Sequence, residues 1–401
     1  MADYFAMDHD ELTAEKTALE AQYKKFQGMN LKLNMARGKP GPHQMDLAMD
    51  LLKMDNYITD NGFDTRNYGE LEGLPEARAL FADVFGVQPG EVFVGGNSSL
   101  QLMYNLVAIG MMFGFQDSPK PWGQVEHRKF LCPVPGYDRH FAITEEMGFE
   151  LISVPMSPDG PDMDMIEKLV AEDDTIKGIW CVPLHSNPQG VCYSDRVVDR
   201  LASMETAAPD FRIFWDNAYG VHHIYQEVPL KNILEACEAG GHPNRAYYFF
   251  STSKITFPGA GISLIASGPD NMKEFKGHMS SQTIGHDKLN QLRHVQYFKT
   301  PENIRAHMAA LAEVLRPKFD MVLNRLEEEL EGSGLAVWSR PKGGYFISLD
   351  TLAGCAKRTV QLAKEAGVTL TGAGATYPYK RDPQDRNIRI APTYPPPEAL
   401  K

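Results

Sequence analysis

The sequence predicts an α/β fold: a large domain on a mainly parallel seven-stranded sheet, followed by a smaller α/β domain. Three observations carry that prediction. Short continuous apolar runs recur at 91–94, 129–134, 150–154, 177–182, 211–215, 246–250 and 262–266; helical patterns separate them; and 401 residues, 43% of them hydrophobic, suffice for two cores. Continuous rather than alternating hydrophobicity suits strands buried on both faces, with helices on each side of the sheet. The stretches 100–112, 162–170 and 195–204 read as helices, and in the second of them Met163, Ile166, Leu169 and Val170 share one face.

From 301 to 330 an uninterrupted helical pattern carries Leu311, Val314, Leu315, Phe319, Val322, Leu326 and Leu330, and closes at Gly332 and Gly334. It predicts a long inter-domain helix. Strand-like runs at 336–338, 345–349, 368–370 and 388–391, with a helix near 352–365, then form the smaller layer. Residues 1–55, with an amphipathic helix marked by Leu12, Leu19, Tyr23 and Phe26, are too short for a domain. They are expected to complete the C-terminal layer or to pack on a partner subunit. The division is therefore 1–55 as an N-terminal segment, 56–300 as the large domain, and 301–401 as long helix and small domain. Pro397 followed by good helix formers predicts a helix start, the rest of which would lie beyond Lys401.

With 40 Lys and Arg against 52 Asp and Glu, the formal net charge is -12 and no basic block occurs, which disfavours nucleic acid and anionic membranes as partners. No apolar run approaches the ~20 residues of a membrane span, and Met1-Ala2-Asp3 does not begin a secretory signal, so a cytoplasmic protein is expected. The five cysteines (Cys132, Cys181, Cys192, Cys237, Cys355) lack paired spacing, which argues against a disulfide framework and against a metal site.

Five segments carry candidate chemistry. Gly95-Gly96-Asn97-Ser98-Ser99 follows a predicted strand and opens a helix. Free N–H groups, the helix dipole and hydroxyls receive an anion there, although the same residues also serve a tight turn with ordinary N-capping. His185-Ser186-Asn187-Pro188-Gln189-Gly190 lies just past another apolar run, and by itself is a turn signature. Asp216 ends the run before Asn217-Ala218-Tyr219, where open α/β sheets bind ligands; its charge calls for a fixed cationic partner, or it caps a helix. Ser251-Thr252-Ser253-Lys254 sets an amine at a strand end. Once desolvation draws its pKa below ~10.4 such an amine forms a Schiff base with an aldehyde; a solvated surface lysine is the plainer role. In Asn387-Ile388-Arg389-Ile390 a guanidinium interrupts an apolar strand, which calls for a bidentate carboxylate or a structural ion pair.

Taken in this order, and with Asn67-Tyr68-Gly69-x-x-x-Gly73 and Arg37-Gly38-Lys39-Pro40, the segments resemble class I aminotransferases of the pyridoxal 5′-phosphate (PLP) fold-type I superfamily. The resemblance covers nearly the whole chain, and Ser-x-Ser-Lys with the upstream Asp-x-x-Tyr is its most specific part. Pro135-Gly136-Tyr137-Asp138-Arg139-His140 and 283–288 look like a divergent bacterial subgroup of aspartate aminotransferases. The resemblance implies that Lys254 carries PLP as a Schiff base and shuttles the substrate's α-proton. It implies that Asp216 pairs with the pyridinium nitrogen, and that Asn187 and Tyr219 hydrogen-bond the ring's phenolic oxygen. Gly96, Asn97, Ser98, Ser251 and Ser253 would cradle the phosphate, Tyr137 would stack on the ring, and Tyr68 would reach the neighbouring subunit's phosphate in a homodimer. Arg389 would bind the substrate α-carboxylate near Gly38. The implied reaction is ping-pong transfer of an amino group from aspartate to 2-oxoglutarate. A side-chain carboxylate then needs a second cation, for which Arg37, Lys39 and Lys288 are the candidates.

The chain departs from the family pattern where an arginine usually follows the Schiff-base lysine: 258–262 contains none. The phosphate's charge must be met otherwise. Two rival readings exist. The segment 135–139 also resembles aminocyclopropane-carboxylate synthases, so a PLP lyase of the same fold is one. A non-catalytic aminotransferase-like sensor is the other, against which the segment before Arg37 leaves no room for a helix-turn-helix module.

Overall fold

Alternate residues of the apolar runs face opposite ways, and helices cover both faces; the computed structural model describes residues 4–400. Its strands are β1 (Leu33–Asn34), β2 (Val92–Val94), β3 (Lys129–Val134), β4 (Glu150–Ser157), β5 (Gly160–Pro161), β6 (Ile176–Cys181), β7 (Arg212–Asp216), β8 (Ala246–Ser251), β9 (Ser263–Ala266), β10 (Ala336–Trp338), β11 (Ile347–Thr351), β12 (Val368–Thr369) and β13 (Asn387–Ile390). The large sheet runs β2-β9-β8-β7-β6-β3-β4-β5. Its centre, β8-β7-β6-β3-β4, is parallel, whereas β9 lies antiparallel between β2 and β8.

All seven apolar runs are strands, and the sheet gains an eighth. After β4 the chain turns back and pairs Ser157 with Gly160 and Met156 with Pro161. A two-residue strand of glycine and proline leaves no apolar run to read. On one face Ile179, Ile213, Trp215 and Phe250 pack in a core shared with helices Pro75–Phe85, Met163–Glu172 and Asp195–Ser203. Phe130, Trp180, Phe214 and Phe249 point the other way, toward helix Ser99–Met112. That double coverage explains why the runs do not alternate.

Helix Pro301–Leu330 spans the predicted range, with the Thr300 hydroxyl accepting from the Asn303 N–H at its start. It leaves the large core at Ile304, Met308 and Leu311 and enters a third cluster at Leu315, Phe319 and Leu323, where β11 and β13 supply Ile347, Ile388 and Ile390. Here β10-β11-β13 form an antiparallel sheet. The strand expected at 345–349 begins two residues later, because Gly344 (φ 81°) turns and donates its N–H to the His222 carbonyl. The helix expected near 352–365 begins at Ala356.

Helix His9–Gly28 buries no residue. The N-terminal segment joins the C-terminal layer instead through β1, which pairs in parallel with β12, and through the Tyr23 hydroxyl, which donates to the Leu362 carbonyl at 3.0 Å. Pro397–Leu400 forms one helical turn. Among the described residues no helix is long and apolar enough to cross a membrane.

Candidate active site

Strands β7 and β8 end side by side, so Asp216 and the 251–254 turn share one edge of the sheet, where α/β sheets bind ligands. The turn is tightly held. Thr252 donates its N–H to the Ile262 carbonyl and accepts from the N–H groups of Ile255 and Thr256, each at 2.9 Å. His294 Nε2 meets the hydroxyls of Thr252 and Thr256 at 3.1 and 3.0 Å. The Lys254 carbonyl accepts from the Tyr345 hydroxyl at 3.2 Å and from His222 Nε2 at 3.3 Å. The Lys254 ammonium lies 4.9 Å from the centroid of Tyr219. Burial lowers its pKa and the Arg389 charge adds to that, against the opposing pull of Asp216.

Asp216 is buried, and Oδ2 receives His140 Nε2 at 2.8 Å. The His140 ring stacks on Trp180 with centroids 4.5 Å apart. Oδ1 of Asp216 is buried with no hydrogen-bond partner. A carboxylate held on one oxygen and bare on the other suits a cationic N–H delivered by a ligand.

Asp216, Lys254, Tyr219 and Asn187 line a cavity of about 160 Å³ together with Ser98, Ser99, Ser251 and Ser253. Ser98 caps helix Ser99–Met112 without a side-chain hydrogen bond; the Gln101 N–H donates to the Ser98 carbonyl at 3.1 Å, which leaves the N–H groups of Ser99 and Leu100 at the helix start for an anion. Gly96 and Asn97 stand behind this cradle: the Gly96 carbonyl accepts from Ser263 and the Asn97 amide donates to the Pro258 carbonyl. Tyr137 forms another wall, its hydroxyl pushed up to about 12 by burial and then by the charges of Asp216 and Asp138. No arginine lines this cavity among the described residues. The amine, the bare carboxylate oxygen and the hydroxyl-rich helix start fit PLP.

A second cavity, about 470 Å³, shares Lys254, Tyr137, Asn187 and Tyr219 with the first and reaches Arg389. Arg389 is buried, with its guanidinium 4.8 Å from the Phe346 ring centroid. Gly38 packs on the same ring, and a Cβ there would meet Phe346 Cζ at 2.3 Å, so only glycine fits. Nη1 of Arg389 donates to Asp138 at 3.0 Å and to Asn187 at 3.2 Å. Arg37 and Lys39 line this cavity too, the Lys39 ammonium sitting 3.9 Å above the Tyr394 ring. Tyr68 and Lys288 line neither cavity; Tyr68 is 77% exposed, and Lys288 donates to the His286 carbonyl. Sequence reasoning missed His140, Asp138, His222 and Tyr345 as site residues. The first two directly follow Tyr137 in a segment already singled out, but nothing local marks which side chains they meet.

The whole chain has relatives built this way. The family model described as aspartate amino-transferase matches residues 7–401. An aspartate aminotransferase of Corynebacterium glutamicum is 47% identical over 387 residues, 96% of this chain and 89% of that protein. An aminotransferase described as putative, from Mycolicibacterium smegmatis, is 49% identical over 396 residues, 97% of this chain and 92% of that protein. The crystal structure of an aspartate transaminase from Corynebacterium glutamicum superposes with a TM-score of 0.95 at 46% identity, covering 98% of this chain and 94% of that one. The fold is PLP fold type I and the protein is an aminotransferase. The chain belongs to the aspartate amino-transferase family.

Proposed function

We propose that the protein uses PLP held on Lys254 to move an amino group from aspartate to 2-oxoglutarate. The observation that carries this reading is the meeting, across two cavities that share lining residues, of a half-buried lysine whose pKa desolvation lowers, a buried carboxylate oxygen without a partner among the described residues and a buried arginine. PLP, when bound, supplies a conjugated ring that withdraws electrons from the substrate Cα. The chain's own groups do the rest. Lys254, its neutral form favoured by burial, takes and returns the Cα proton. Asp216 Oδ1 would hold the pyridine nitrogen, with His140 fixing that carboxylate through Oδ2. Asn187 and Tyr219, which line the same cavity, would meet the phenolic oxygen, and Tyr137 would lie against the ring. Ser98, Ser251 and Ser253 with the helix start receive the phosphate, and Gly96 and Asn97 shape that loop. Hydroxyls thereby take over part of the missing arginine's task. Tyr68, exposed in its own subunit, reaches the phosphate across a homodimer.

Arg389 takes the α-carboxylate. Donor and acceptor would use this arginine in turn, with the amino group kept on the enzyme between the two halves, which is the ping-pong order. For the side-chain carboxylate, Arg37 lines the same cavity and makes no ion pair among the described residues; the same holds for Arg139, which sequence reasoning did not offer as a candidate. The strong likeness to an aspartate aminotransferase supports the dicarboxylic choice. Rates with aspartate, alanine and phenylalanine, each with 2-oxoglutarate as acceptor, test it. Aspartate is expected to lead by tenfold or more in kcat/KM; a lead of that size for alanine or phenylalanine refutes the dicarboxylate assignment.

A further inference from the structure

We propose that Asp138 is a built-in competitor for Arg389: it holds the guanidinium while no substrate is present, and an incoming carboxylate binds at its expense. Resting on the reading of Arg389 as the α-carboxylate receptor, the proposal follows from the donors that arginine has left. Both hydrogens of Nη1 are engaged, one by Asp138 at 3.0 Å and one by Asn187 at 3.2 Å. Nε meets the Thr371 hydroxyl at 3.3 Å. Among the described residues, only Nη2 has no partner. A bidentate carboxylate needs two adjacent nitrogens, either the two Nη atoms or Nε with Nη2. On the first edge it collides with the groups on Nη1. On the second it binds beside the Asp138 carboxylate, whose charge repels it.

The two members of the pair differ in what release costs them. The Arg389 side chain is 7% exposed, so its permanent charge is costly without an anion beside it. The Asp138 side chain is 32% exposed, so water receives it readily. It is also the first residue of helix Asp138–Glu146, whose N-cap Tyr137 makes no side-chain hydrogen bond, and a carboxylate is favoured at that end whether or not it touches Arg389. Asp138 therefore keeps the buried guanidinium neutralised between turnovers and sets a threshold that each substrate carboxylate must exceed.

The test is calorimetric titration of the PLP-loaded protein with maleate, an unreactive dicarboxylate, in the parent, Asp138→Asn and Asp138→Ala forms, with KM for aspartate measured alongside. Both variants are expected to bind maleate about twofold to fivefold tighter, the upper part of the range for removing a partly exposed ion pair, with KM falling in parallel. Asparagine can still accept from Nη1 and alanine cannot, so tightening in both separates lost competition from altered geometry. Weaker binding, or a change under twofold, in either folded variant overturns the proposal and makes Asp138 a positioning residue. Arg389→Ala is the control: if it retains maleate binding, the assignment of Arg389 itself is wrong.

Discussion

Replacing His140 with phenylalanine isolates the hydrogen bond that fixes Asp216. The ring is kept, so stacking on Trp180 at 4.5 Å is largely preserved, while the 2.8 Å contact to Oδ2 is lost. In the cofactor-free protein Asp216 then has neither oxygen satisfied, since Oδ1 already lacks a partner. Residue exposures of 1% and 3% leave little room for water on the His140 side of the carboxylate, at Oδ2. Removing a hydrogen-bond donor from a buried carboxylate costs up to about 3 kcal/mol, against about 1 kcal/mol for a hydrogen bond between neutral groups. We expect His140→Phe to lower the unfolding free energy of the cofactor-free protein by about 3 kcal/mol in urea titrations. PLP brings a cation to Oδ1, so saturating cofactor should restore part of that loss. Asp216→Asn removes the charge, and in that background His140→Phe should cost about 1 kcal/mol, a coupling of roughly 2 kcal/mol. A cost below about 0.5 kcal/mol for His140→Phe in the cofactor-free parent would refute the argument that the pair stabilises a buried carboxylate.

Three further outcomes follow from the site. Because the folded-state pKa of Lys254 is depressed by burial, the unfolded chain binds the extra proton between that value and ~10.4, so this group makes the cofactor-free protein more stable as pH rises through the window. Unfolding midpoints between pH 7 and 10 should therefore converge for the parent and Lys254→Met as pH increases; a constant gap counts against it. Arg37→Ala should lower kcat/KM for aspartate by about ten- to a hundredfold, the worth of a charge-assisted contact, while sparing alanine. The same loss in Arg139→Ala alone would place that contact on Arg139. Mixed dimers of Tyr68→Phe and Lys254→Ala subunits, each parent inactive, should regain one intact site per dimer, and no recovery in verified mixed dimers would sink the shared-site reading.

Much of the lining of the first cavity was legible because its residues sit where apolar runs stop. Asp216, Ser251, Ser253, Lys254 and Asn187 each mark the carboxyl end of a buried strand or the loop just past it, and runs buried on both faces are visible without any partner being known. The long helix was legible for a similar local reason, its apolar period and its Thr300-Pro301 start both lying in one contiguous stretch.

The tertiary structure decided what depends on meetings far along the chain. His140 and Asp216 are 76 residues apart and Arg389 and Asp138 are 251 apart, yet each pair is joined at hydrogen-bond distance. The antiparallel seat of β9 and the pairing of Leu33 with Val368 are of the same kind. Hydrophobic period and chain punctuation specify which face of an element is buried, a property of neighbouring residues. Which other element covers that face follows from packing the whole chain, so the sequence by itself determined the strands, the helix and the lysine, and only the packed fold decided the partners of Asp216 and Arg389.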